Sequence, residues 1–484
     1  MGLLGILLGL FLMIALAYRG WSILLLAPVA ALVAAAFAAE PLLAHWTQTF
    51  MTSAAGFFAQ FFPLFLLGAL FGKLMDDSGS VATIADFMTE KLGAERAILA
   101  VVLAGALVTY GGVSLFVAFF VLAPMAVALF RAANVPRRLM PAAIALGTST
   151  FTMSALPGTP SIQNAIPMPF FGTTPFAAPG LGIIASVIML GFGMWWLKRA
   201  EERAKRAGEG FGDDPPKIDA TPADDLLVRE LGTVAREFDP AELSRGQPSP
   251  TRPPIALAML PLGIVIAVNL AMSQFILPSL DVSFLAEERW GETTLAGVGG
   301  VWSVVTALVA AIVAVIVINH RRLPALRDTM DAGANASVLP AVSVASLVGF
   351  GAVVAALPAF VAVRDALLAM EGGPLVSLAV ATNVLAALTG SASGGMTIAL
   401  DALGEIYKTM ALDAGIDPSL MHRVAVISSG TLDSLPHNGA VVTLLAVCGA
   451  SHRESYFDIV MVAIVGALIA LVAVIGIGSV AGAF

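Results

Sequence analysis

Two long apolar stretches, one in each half of the chain, are broken at corresponding places by Leu-Pro flanked by small polar residues. The first break reads Thr148-Ser149-Thr150, then Ser154-Ala155-Leu156-Pro157-Gly158-Thr159-Pro160. The second reads Ser428-Ser429-Gly430-Thr431-Leu432-Asp433-Ser434-Leu435-Pro436-His437-Asn438-Gly439. Proline removes a backbone donor and stops a helix. Backbone freed from helical hydrogen bonding inside a bilayer is costly unless it lines a polar cavity. Matched breaks in two halves therefore point to a substrate site in a secondary transporter.

The rest of the chain fits a membrane-embedded, all-α polytopic protein. Of 484 residues, 58% are hydrophobic and 12% charged, against roughly 25% charged in soluble chains. Several apolar runs exceed the ~18 residues needed to span a bilayer. Leu3 to Tyr18 lacks the basic start of a signal peptide and is followed at once by a second span, Ile23 to Ala39, so it reads as a helix of the protein. A single cysteine, Cys448, excludes an intrachain disulfide and any cysteine-based metal cluster. No cofactor or metal is expected. The net charge of −8 and the lack of a basic reading element argue against nucleic acid.

Hydropathy predicts spans near 3–18, 23–39, 61–75, 95–109, 113–130, a broken 139–172, and 176–197. A second series follows at 254–274, 294–319, 336–358, 374–389, 395–410, a broken 419–450, and 457–480. The two match element for element, including a short amphipathic stretch before each pair of shorter helices. This predicts two repeats, 1–197 and 254–484, joined by a polar linker at 198–253 too poor in apolar residues to build a core. Lys and Arg collect in cytoplasmic loops. With each short pair taken as a re-entrant hairpin and the termini outside, 21 of the 25 Lys and Arg fall inside, leaving only Arg289, Arg364, Lys408 and Arg423 outside. The same layout inverts one repeat relative to the other and puts the linker in the cytoplasm.

Four polar interruptions are expected to meet near the midplane. Two are hairpin tips, Thr109-Tyr110-Gly111-Gly112-Val113-Ser114 and Thr389-Gly390-Ser391-Ala392-Ser393-Gly394-Gly395. The other two are the breaks. Glycines allow tight turns and close approach, and half-helix N-termini carry partial positive charge suited to an anion. No Lys or Arg lies in the four motifs, so hydroxyls and backbone N–H groups are the expected ligands of a small hydroxylated acid. The candidate substrate-binding residues are Thr109, Gly111, Gly112, Ser114, Thr150, Ser154, Gly158, Thr159, Gln163, Asn164, Thr389, Ser391, Ser393, Gly394, Thr431, Ser434, His437 and Asn438. The bland alternative is that small residues simply let helices pack closely; their recurrence in repeat-matched positions favours a site. Asp433 is the only acid within the motifs, and an ionisable group at membrane depth is a coupling candidate by default. Its competing role is a structural cap.

The run Ser154-Ala155-Leu156-Pro157-Gly158-Thr159-Pro160-Ser161-Ile162-Gln163-Asn164-Ala165-Ile166-Pro167, continuing to Pro179, resembles the gluconate permease family of the ion transporter superfamily. Gly430 to Gly439 fits the same picture, and the similarity covers nearly the whole chain. The resemblance implies import of small hydroxy acids by proton symport, an inverted-repeat fold with paired hairpins, and a homodimer in the inner membrane that moves its transport domain as an elevator. Leu156-Pro157-Gly158-Thr159 departs from the His-Pro-richer break of gluconate-type members and is closer to the subgroup associated with 3-hydroxybutyrate.

Two other readings stay open. A sodium-coupled di- or tricarboxylate carrier would use the Ser, Thr and Gly oxygens as hard ligands, although a tricarboxylate calls for more positive charge than the tips carry. An intramembrane hydrolase would need a His-Glu-x-x-His motif, a Gly-x-Ser-x-Gly elbow or an acid pair. The sequence has none at its breaks.

Overall fold

A computed structural model describes residues 1–17, 21–212, 246–436 and 438–484. Every element among them is helical. This is the expected solution in a bilayer, where each backbone polar group must be satisfied within its own segment. The first half contains α1 (Gly2–Ala17), α2 (Ile23–Phe37), α3 (Leu42–Asp77), α4 (Ser80–Leu92), α5 (Ala97–Tyr110) and α6 (Leu115–Ala132). The broken region follows as α7 (Met140–Thr148), α8 (Phe151–Ser154), α9 (Ile162–Ala165) and α10 (Pro167–Phe171), and α11 (Pro179–Arg206) closes the half.

The remaining helices make up the second half. It runs through α12 (Ile255–Ser279), α13 (Leu295–Asn319), α14 (Leu326–Ala336), α15 (Val338–Ala356), α16 (Phe360–Leu368), α17 (Gly373–Thr389), α18 (Ala392–Asp413), α19 (Pro418–Ser429), α20 (Gly439–Val447) and α21 (His452–Ala481). Seven helices are long and apolar enough to cross a membrane among the described residues, or eight if the pair α4 and α5, bent by 103°, is counted as one span. The chain is thus a multi-pass membrane protein.

Three expectations need correction. The span placed at 61–75 begins much earlier, at Leu42, because Trp46, Phe57, Phe58 and Phe61 carry the apolar surface across the polar residues Gln48 and Thr52. The linker placed at 198–253 begins as helix, since α11 continues to Arg206 through good helix formers with an i,i+4 ion pair between Lys205 and Glu201. Arg423, counted among the four cations on the outer side, sits fully buried within α19.

The helices pack in two groups. α1, α2, α3, α12, α13, α14 and α15 form one: α1 lies on α2, α15 on both α2 and α3, α13 on α3 and on α12. The other holds the two helix pairs, the two broken regions and the last span of each half. There α5 lies on α6 and α7, α17 on α18 and α19, and α11 on α21. The halves exchange partners, with α6 against α20 and α18 against α9 and α10.

Small residues make this interleaving possible. A Cβ on Gly395 would lie 2.2 Å from the backbone nitrogen of Ala386, so α17 and α18 touch backbone to backbone just below their tip. Gly147 does the same for α7 on α5, with a Cβ placed 2.4 Å from the Val102 carbonyl oxygen. Lipid provides no hydrophobic drive between helices, so such close contact is what holds them.

The flanks of the linker are fastened to the helices. Phe211 N–H donates to Asn134 Oδ1 at 3.0 Å, and Arg138 pairs with Glu209 at 2.8 Å and with Asp458 at 2.7 Å. Beyond it, Ser249 N–H donates to the Asp77 carbonyl at 2.7 Å, Thr83 donates to the Pro253 carbonyl, and Arg252 pairs with Asp86.

Candidate functional site

The first break forms because its residues offer the backbone alternatives to helix. Thr148, Thr150 and Ser154 turn their hydroxyls back onto the carbonyls of Ile144, Leu146 and Thr150 at 2.7 to 3.0 Å. Thr150 itself leaves the helical region, with φ −114° and ψ −112°. Pro157 and Pro160 bring no N–H, and Gly158 takes a positive φ of 78° to turn the chain. In the second half α19 ends at Gly430, a short 3₁₀ turn covers Leu432–Ser434, and the chain passes Pro436 before helix resumes at Gly439.

Four of the helices that start at the tips and breaks carry a side-chain cap. Ser114 accepts from Phe116 N–H at 3.3 Å, Ser161 from Asn164 N–H at 3.4 Å, Ser391 from Gly394 N–H at 3.1 Å, and Asn438 from Ala440 N–H at 2.7 Å. These caps start α6, α9, α18 and α20 and each satisfies one of the donors that a helix leaves without an intrahelical partner at its N-terminus. Gly112, with φ 100°, lets the first tip run against Pro160 of the first break; a Cβ there would come within 2.9 Å of its ring.

Two cavities lie where these starts converge. The larger, of about 170 Å³, is lined by Thr109, Gly112, Ser114, Ser161 and Gln163, by Ser393 of the second tip, and by Phe65, Ser337 and Pro340 of the other helix group. The smaller, of about 30 Å³, is lined by Ser149, Ser154 and Gln163 from the first break and by Asp433, Ser434 and Asn438 from the second. Neither lining contains Lys or Arg.

All four sequence motifs therefore contribute, and Gln163 belongs to both walls. It is 8% exposed, and its Oε1 has no hydrogen-bond partner among the described residues. Asp433 is half-buried and accepts from the Ser434 hydroxyl at 3.2 Å.

The other candidates are elsewhere. Thr150 and Thr431 spend their hydroxyls on the Leu146 and Ile427 carbonyls. Gly158 and Gly111 face Phe176 and Leu262, and Gly394 faces Leu347. Thr389 caps its own tip by donating to the Leu385 carbonyl at 2.8 Å, and Ser391 acts as the α18 cap. The hydroxyl of Thr159 accepts from Ser161 N–H at 3.4 Å. His437 lies outside the described residues.

Asn164, chosen as a substrate ligand, is fully buried and structural. Its amide donates to the carbonyls of Thr159 and Pro175, both at 3.0 Å. Its Oδ1 is 3.2 Å from His422 Nε2 and 3.5 Å from Arg423 Nη1. Because Asn164 Oδ1 only accepts, His422 donates through Nε2, and its Nδ1 accepts from the Thr173 hydroxyl at 2.6 Å. Tyr110 is likewise tied down, donating to the Pro157 carbonyl at 2.8 Å.

Sequence reasoning missed the Ser161 cap, the buried His422 and Arg423, and the far wall at Ser337 and Pro340. Ser161 had a readable signal, a preferred N-cap residue type directly after Pro160 where helix can resume. The others depend on contacts between segments far apart in the chain.

Comparison with known proteins places the chain among transporters. The profile of GntP family permeases matches residues 1–173. A Bacillus subtilis (strain 168) protein described as the uncharacterized transporter YxjC is 41% identical over 491 residues, covering 100% of both chains. Among solved structures, MtrF of Neisseria gonorrhoeae, described as illuminating a class of antimetabolite efflux pumps, is similar at a TM-score of 0.53 with 15% identity, covering 88% of this chain and 83% of that one. The YdaH transporter of Alcanivorax borkumensis, described as having an unusual topology, gives a TM-score of 0.47 with 16% identity over 88% of this chain and 86% of its own.

Proposed function

This chain belongs to the GntP family of permeases and is a membrane transporter, and we propose that it imports a small hydroxy monocarboxylate, of the 3-hydroxybutyrate kind, by proton symport. The observation that carries the substrate class is Gln163. A buried amide oxygen without a partner among the described residues costs free energy until a donor reaches it, and this one belongs to the wall of a largely apolar cavity whose other polar side chains are Thr109, Ser114, Ser161, Ser337 and Ser393. A substrate hydroxyl supplies that donor. Its carboxylate is received by the N-terminal ends of α6 and α18, which offer partial positive charge without a formal cation. The cavity volume of about 170 Å³ is below the ~300 Å³ at which drug-sized pockets begin, which favours a short acid over gluconate.

Asp433 carries the coupling proton in this reading, from its place in the smaller, water-sized cavity beside the substrate. Symport of one proton with one monocarboxylate moves no net charge, so the pH gradient drives it, at about 1.4 kcal/mol for each tenfold difference in proton concentration. The two halves are inverted repeats, a reading supported by their matched element order and exchanged packing. The group holding the hairpins and breaks moves against the group around α3 and α15 in a homodimer of the inner membrane, with both termini outside and 198–253 in the cytoplasm.

The test is uptake of labelled 3-hydroxybutyrate and gluconate into proteoliposomes, first under an inward pH gradient and then under a sodium gradient at constant pH. Accumulation of the shorter acid under the pH gradient alone is the expected result. Uptake driven only by sodium, or of neither acid, overturns the coupling or the substrate and brings the citrate-like alternative forward.

A further inference from the structure

The only formal positive charge bonded to the breaks, among the described residues, belongs to Arg423 of α19. Its guanidinium is fully buried and spreads over the back of the first break. It donates to the Ala177 carbonyl from Nε at 3.1 Å and from Nη2 at 2.6 Å, and to the Ala155 carbonyl from Nη1 at 3.1 Å. Its remaining contact is Asn164 Oδ1 at 3.5 Å. All of these acceptors are neutral. Gly182 of α11 makes the space, since a Cβ there would lie 3.3 Å from Arg423 Nε and 2.5 Å from the Ala155 oxygen.

Arginine keeps its charge in such a setting, and a buried cation without a counter-ion is expensive. Carbonyl dipoles offset part of that cost, and among the described residues no acidic side chain is bonded to the guanidinium. Two of the three residues it holds adjoin the cavities: Ala155 follows Ser154, which lines the smaller one, and Asn164 follows Gln163, which lines both. The cation is thus one residue behind the walls at two points on the break.

We propose that Arg423 is the positioning residue of the cavities and the source of their selectivity for anions, holding the first break in place through Ala155, Ala177 and Asn164 while its unneutralised charge biases the cavity toward a negative occupant. The inference rests on these cavities being the substrate site. It explains how a site with no Lys or Arg in its lining favours a carboxylate: the charge acts through the wall, and the contacts are made by hydroxyls and helix N-termini. A bound carboxylate supplies the missing counter-charge.

The test reads cavity potential without relying on any substrate. Ser161→Cys, half-buried in the lining of the larger cavity, is introduced into the full-length protein, whose own Cys448 is buried. Its reaction rates with an anionic and a cationic methanethiosulfonate are compared in otherwise native protein, in Arg423→Gln, in Arg423→Lys and in Asn164→Asp. A unit charge about 10 Å away, at an effective dielectric near 20, changes the local concentration of a charged reagent roughly tenfold.

The anionic-to-cationic rate ratio is expected to fall by roughly the square of that factor in Arg423→Gln, because the two reagents respond in opposite directions, and to be largely retained in Arg423→Lys. It falls equally in Asn164→Asp, which places a carboxylate against an unchanged arginine and so keeps the proposal testable if Arg423→Gln does not fold. In uptake assays the half-saturation of 3-hydroxybutyrate rises in Arg423→Gln, while competition by neutral 3-hydroxybutyramide is little changed. An unchanged rate ratio in both neutralising variants overturns the proposal, as does equal weakening of acid and amide. Failure of the native protein to take up any hydroxy acid removes the substrate reading instead, and the thiol rates still decide the role of Arg423.

Discussion

The side-chain amide of Asn438 donates to the carbonyl of Gly390 at 2.8 Å while its Oδ1 caps α20 through Ala440 N–H at 2.7 Å. One side chain therefore starts the second half of a broken helix and fastens it to the tip of the neighbouring pair, 48 residues away in sequence. Asn438→Asp keeps the cap and loses the tether, whereas Asn438→Ala loses both. Thermal melts of the purified protein should place Asp between wild type and Ala, with the cap worth about 1 kcal/mol. Equal melting of the two variants would remove the tether from the account.

Asp433→Asn is expected to abolish uphill accumulation under a pH gradient and to spare some exchange of internal for external substrate, since the amide preserves shape and cannot cycle a proton. Counterflow and gradient-driven uptake in the same vesicles separate the two. Wild-type accumulation by the variant would take Asp433 out of the coupling step.

Gln163→Leu fills a similar volume and removes the unpartnered acceptor. The half-saturation of the hydroxylated acid should rise by the equivalent of about 1–3 kcal/mol, and that of butyrate, which has no hydroxyl to donate, should change little. Parallel losses for both acids would mean that Gln163 shapes the cavity without reading the hydroxyl.

Gly395→Ala meets backbone: its Cβ would sit 2.2 Å from Ala386 N, and the pair α17 and α18 would have to separate along its length. Overpacking of this kind costs about 1–3 kcal/mol or more. Loss of transport with a lowered melting temperature is the expected outcome. Gly415→Ala serves as a comparison, because open space surrounds that Cβ and only its positive φ of 68° resists the change.

The buried pair Lys73 and Asp77, 2.9 Å apart at the end of α3, also binds α14 through the Thr329 hydroxyl, which donates to Asp77 Oδ2 at 2.7 Å. Lys73→Met alone leaves a buried carboxylate and should destabilise by about 3–5 kcal/mol. Combining it with Asp77→Leu should recover much of that loss, measured as the melting temperature in detergent.

Much of this protein is legible without coordinates. The apolar runs give helices because a bilayer permits little else. Leu156-Pro157 and Leu435-Pro436 locate the breaks because proline has no donor to continue a helix. The glycines and serines at 109–114 and 389–395 mark the turns between paired helices. From these alone came the family resemblance, the all-helical membrane fold and the four motifs that line the cavities.

Tertiary structure decided which residues within those motifs face the cavities. Thr109 and Gly112 line the larger one, whereas Gly111 turns to Leu262; Gln163 is left with an unsatisfied oxygen, whereas its neighbour Asn164 is consumed by Thr159, Pro175, His422 and Arg423. Adjacent residues on an irregular backbone point in directions set by distant partners, and hydropathy carries no record of them. Arg423 shows the same limit. By composition it is one more cation at a helix end, and only packing against the carbonyls of Ala155 and Ala177, over 240 residues earlier in the chain, places its charge behind the site.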